Sequence, residues 1–154
     1  MPLPRTSSFF VTAAEGLRAA VLVCAIALAL LLPAFWNRYP LLYYDSLDYA
    51  TMSFIWKMPV YRTGAYGVFA LTAREAGSIW GTVVVQSVIV AYVLYEAWRL
   101  FAPGLRWRDL VIMIACLILL TGLPWTTSQL MPDAFSGVAV LAVLILGFHA
   151  ERLG

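Results

Sequence analysis

Charge is what this sequence has least of. Ten Lys and Arg and eight Asp and Glu make up only 12% of its 154 residues. A soluble globular domain carries about 25% charged residues, so this composition points away from one. Histidine is scarcer still: His149 stands alone. A zinc site or a Ser-His-Asp triad therefore lacks its raw material. The two cysteines, Cys24 and Cys116, both lie inside apolar runs. They read as small hydrophobes, and no disulfide is expected. A net charge of +2, with no run of Lys or Arg, gives nucleic acid nothing to bind. There is no Gly-rich phosphate loop and no internal repeat.

What is there is apolar: 63% of the chain. An integral membrane protein is expected, all-α, with about four transmembrane helices, since about 20 apolar residues span a bilayer core. The candidate spans are residues 17–36, 78–101, 110–125 and 134–150. The third and fourth sit near the lower limit of length. The first has no small-x-small site after its apolar run, so it reads as an uncleaved anchor.

Arginine placement orients these spans. With both termini inside, Arg5, Arg18, Arg99, Arg106, Arg108 and Arg152 are cytoplasmic, and Arg38, Lys57, Arg62 and Arg74 are outside. The short turn "WRLFAPGLRWRD" holds three arginines, while the loop 126–133 holds none. A multi-pass protein with both termini on the cytoplasmic side is expected. No span carries a repeated polar face, which argues against a pore.

The outer loop, residues 37–77, is the one sizeable segment outside the spans. Leu47, Ala50, Phe54 and Ile55 recur at helical spacing, as do Tyr66, Phe69, Ala70 and Ala73. Pro59 and Gly64 separate the two groups. Two short amphipathic helices lying in the membrane interface are expected.

Chemistry is concentrated in the same loop. Asp45 and Asp48 would share a helix face, and close carboxylates suit a general base or a divalent-metal site. "DSLD" reads equally as a helix N-terminus, with Asp45 as the cap and Asp48 favouring the dipole. Lys57, Arg62 and Tyr66 could hold a phosphate, or could simply face anionic headgroups. Asp133, with Thr126, Thr127, Ser128 and Gln129 beside it, would be a third carboxylate on the outer side, or another cap. Glu96 stands one turn from Arg99 and can pair with it. Gln86, near the middle of the second run, is a polar group that needs a partner. "GSIWG" at 77–81 fits the GxxxG packing pattern.

Taken in order, "YYDSLDY", "PVYRTGAYGVF", "SIWGTVVVQSVIVAY" and "PWTTSQLMPDAFSG" resemble the N-terminal part of the bacterial GT-C superfamily of membrane glycosyltransferases. That resemblance implies a polyprenyl-phosphate-linked sugar donor. It implies that Asp45 is the base activating an acceptor hydroxyl, in an acidic motif shared with Asp48. Pro59, Arg62 and Tyr66 match a Pro-x-x-Arg-x-x-Gly-Tyr element, with Ala65 where the pattern favours glycine. Asp133 is then the acid of the second outer loop, and Lys57 joins Arg62 in stabilising the leaving phosphate. Such enzymes usually have eight or more spans, so a truncated or split form is expected, with a second polypeptide carrying the missing helices. The alternative is a non-catalytic four-helix protein serving as an assembly or transporter subunit.

Overall fold

The computed structural model describes residues 6–55, 64–102, 104 and 106–149. Among these the chain is all-helical, with helices α1 (Thr6–Leu30), α2 (Leu32–Trp36), α3 (Ser46–Ile55), α4 (Gly64–Glu75), α5 (Trp80–Phe101), α6 (Trp107–Leu120), α7 (Leu123–Thr127) and α8 (Asp133–His149). Lys57, Pro59 and Arg62 lie outside the described residues.

Two of the expected spans are broken helices. Residues 17–36 form the end of α1, a break at Leu31, and then α2. Residues 110–125 form α6, a break at Thr121 and Gly122, and then α7. The cause is the same in both. α2 and α7 each begin Leu-Pro, with Pro33 and Pro124 inside the first turn. Proline has no N–H to return to the preceding turn and its ring crowds that carbonyl, so a helix stops there, while the first turn of a new helix tolerates it. The second run is an unbroken helix, and the fourth is nearly the helix expected. Among the described residues α5 is the one helix both long and apolar enough to cross a membrane, and α8 is a shorter apolar helix.

The two helices expected in the long loop are present as α3 and α4, packed on each other, with α4 also packed on α5. α3 turns toward the rest of the protein a different face from the one that carries its recurring apolar residues. Leu47, Phe54 and Ile55 are exposed, and Tyr49 and Met52 are buried. The reason is that Tyr49 meets Tyr66 of α4 edge-on at 4.7 Å, and an aromatic pair buries more area than a leucine. On α4 the expected face holds: Tyr66 and Ala70 are buried. Gly67 permits the close approach, because a Cβ there would overlap Met52 Sδ.

The main core lies between α1, α5, α6 and α8, and gathers Ile26, Leu30, Val90, Leu110, Ile114 and Val138. A smaller core of Tyr49, Tyr66, Ala70 and Met131 seats the α3–α4 pair. "GSIWG" is a junction rather than a helix-pairing stripe. Gly77 ends α4 with φ 65°, and a Cβ on Gly81 would sit 2.6 Å from the Thr72 carbonyl oxygen. α5 therefore starts hard against the last turn of α4.

Candidate functional site

The segment 37–46 and the segment 128–133 meet at one end of the helices and are stitched by hydrogen bonds. The Leu41 N–H donates to the Ser128 carbonyl at 2.9 Å, and the Leu130 N–H returns to the Leu41 carbonyl at 3.1 Å. One residue inside α3, the Ser46 hydroxyl donates to the Leu130 carbonyl at 2.9 Å while accepting the Tyr43 N–H. Ser128 donates to the Leu30 carbonyl at 3.1 Å, where the break in α1 disturbs the helical ladder. Ser46, Thr127 and Ser128 have no exposed surface. Buried polar groups are costly without partners, which is why this clasp has one geometry. Among the described residues the Thr127 hydroxyl is an exception, buried with no hydrogen-bond partner.

Gln86 closes the clasp from below. It is completely buried on α5. Its Oε1 accepts the Tyr66 hydroxyl at 2.8 Å. Its Nε2 donates to the Thr127 and Gln129 carbonyls, each at 3.0 Å. The last carbonyls of a helix lack intrahelical donors, and here a side-chain amide from a neighbouring helix supplies them for α7. One residue thereby joins α4, α5 and α7.

The candidate site residues divide around this knot. Asp45 directly precedes α3 and is buried, and its carbonyl accepts the Asp48 N–H at 3.1 Å. That is the position of a helix cap, with Asp48 in the first turn. Asp48 is exposed, and so is Asp133, which opens α8. Tyr66 stands inside the aromatic core, touching Phe69 and Phe135 as well as Tyr49. Burial pushes its phenol well above the usual tyrosine range. Tyr49 and Asp133 act in the same direction, and a backbone hydrogen bond from Met131 opposes them. Of the residues expected beside Asp133, Thr126 lines a cavity with it, while the Thr126, Thr127 and Gln129 carbonyls serve Gln86 and the Ser128 hydroxyl serves Leu30. At the other end of α5, Glu96 pairs with Arg99 at 2.8 Å, as the spacing implied.

For a divalent ion, the fit is poor. Among the described residues no three His, Cys, Asp or Glu side chains form a group that could hold one. Asp45 and Asp48 differ in exposure and supply two side chains at most.

Ser46 and Gln86 are the residues that sequence reading valued least. A serine after an aspartate looks like part of a cap, and nothing local announces a partner 84 positions away. Gln86 did carry a signal, a lone amide in an apolar helix, and its need for a partner was legible where the partner was not. Comparison with protein-family models, with curated proteins and with solved structures finds no match to this chain.

Proposed function

We propose that the chain is a four-span membrane protein of the polyprenyl-phosphate-dependent glycosyltransferase type, supplying one half of an active site on the outer face of a bacterial cytoplasmic membrane. The carrying observation is the clasp. The Ser46 to Leu130 hydrogen bond ties the loop after the first span to the loop before the fourth. Asp45, Asp48 and Asp133 therefore belong to one end of the helices, as an outer-face site requires. α1 with α2, α5, α6 with α7, and α8 are the four spans, running alternately outward and inward.

In the reaction, a carboxylate takes the proton of an acceptor hydroxyl. The oxygen attacks the anomeric carbon as the bond to the carrier phosphate breaks, and the polyprenyl phosphate leaves with its electron pair. Burial of Asp45 shifts the base role toward Asp48, which is exposed in the first turn of α3. Asp45 then positions that turn. Lys57 and Arg62 are the cations available to the leaving phosphate. A partner polypeptide carrying further helices would cover the exposed apolar faces of α6 and α8.

One observation favours the non-catalytic subunit reading: Tyr66, expected at the phosphate, is committed to Gln86 and the aromatic core. Sugar transfer by the assembled system separates the two. With Asp48→Asn, transfer should fall at least about 100-fold, the usual size of a general-base contribution, while the protein accumulates normally. Full activity in both Asp48→Asn and Asp45→Asn would leave the subunit reading standing.

A further inference from the structure

Behind Asp133 a cavity of about 380 Å³ opens between α5, α6, α7 and α8. It is within the size range of small-molecule pockets, about 300–1,000 Å³. Its wall is aliphatic, with Leu94, Leu117, Leu123 and Leu141, and its polar lining is Asp133, Thr121 and Thr126. Both hydroxyl protons are already committed. Thr121 donates to the Leu117 carbonyl and accepts the Leu123 N–H, and Thr126 donates to the Leu123 carbonyl. A ligand therefore meets lone pairs and one carboxylate from the side chains here. The opposing influence is the N-terminal end of α8, whose dipole is equivalent to about half a positive charge. The full negative charge of Asp133 exceeds it.

We infer that this cavity is a binding site for a single-chain amphiphilic amine, with the chain among the leucines and the ammonium group on Asp133. Charge complementarity selects this occupant, because a phosphate or carboxylate head would face the Asp133 charge and find no side-chain donor among the described residues of the lining. The inference does not depend on sugar transfer. Two glycines of the lining, Gly122 and Gly137, give it a handle: a Cβ added at either meets nothing within 4 Å. A larger side chain at these lining positions meets open space and not the protein's own atoms.

The test is calorimetric titration of the full chain, in maltoside micelles, with octylammonium, octanol and octyl sulfate. Octylammonium should bind at least tenfold more tightly than the other two. Asp133→Asn should remove that preference, and Gly137→Leu should abolish binding with helicity unchanged. Should Gly137→Leu fail to fold, Gly122→Val makes the same test from the opposite wall. Equal binding of the three probes to the unaltered chain would overturn the site. So would octylammonium binding that survives both Asp133→Asn and the cavity-filling variant.

Discussion

Arg38 occupies a conformation that its side chain disfavours. Its φ is 60°, in the left-handed region where a Cβ crowds the backbone. Two hydrogen bonds hold it there. The Arg38 N–H reaches the Phe35 carbonyl and the Tyr39 N–H reaches the Ala34 carbonyl, each close to 3 Å. This is the double bond pattern that closes a helix with a left-handed residue just past its end, a position usually given to glycine. At the end of α4, Gly77 does occupy the equivalent place. The contrast yields an expectation: Arg38→Gly should stabilise the fold by up to about 1 kcal/mol through relief of backbone strain, less what glycine loses in the unfolded chain. Denaturant titration of purified protein measures it. A loss of stability would mean that the Arg38 side chain makes a contact worth more than the strain.

At the scale of elements, apolar run lengths announced the helices and proline decided where they break. α5 carries no proline and runs unbroken, whereas Pro33 and Pro124 cut the neighbouring runs and create α2 and α7. Both prolines are visible in the sequence, but a hydropathy count passes over them, which is why residues 17–36 and 110–125 read as single spans. The α3–α4 pair was legible from spacing, although its inward face was set by an aromatic contact between elements. The clasp was not legible at all, since the hydrogen bonds that close it join groups more than 80 residues apart in the chain, at least one partner of each being backbone. Gln86 offers the measurement at this scale. Gln86→Leu takes the acceptor from the Tyr66 O–H and the side-chain donor from the Thr127 carbonyl, each at about 1–3 kcal/mol, while the Thr126 and Gln129 carbonyls keep backbone N–H donors. A destabilisation of roughly 3 kcal/mol or more is expected. Tyr66→Phe should cost less, and the double variant less than the sum, because removing both partners leaves fewer orphaned groups. Strict additivity would show that the two side chains do not share a bond in the folded protein.

For the whole molecule, the decisive question is what covers its apolar surface. Leu28, Ile112, Leu119, Val143 and Leu146 are all exposed, on α1, α6 and α8. Patches of this extent on a monomer call for a membrane or another protein. The helix lengths bear on which. At 1.5 Å per residue α5 is about 33 Å long, enough for a hydrocarbon core of about 30 Å, while α6 reaches only about 21 Å. A short helix continued by a broken turn is tolerated at membrane depth where neighbouring side chains satisfy its backbone, which Gln86 does for α7. Cys24 and Cys116 decide between lipid and water, because each is a free thiol exposed on the surface of its helix. If lipid covers α1 and α6, a water-soluble maleimide should leave both thiols unmodified in sealed vesicles and label them once the membrane is dissolved in SDS. A cysteine introduced at Trp36, which is 92% exposed, should label readily in both states, because it lies at the clasp end where water is expected. Rapid labelling of Cys24 and Cys116 in intact vesicles would place both helices in water and remove the bilayer on which the transferase reading depends.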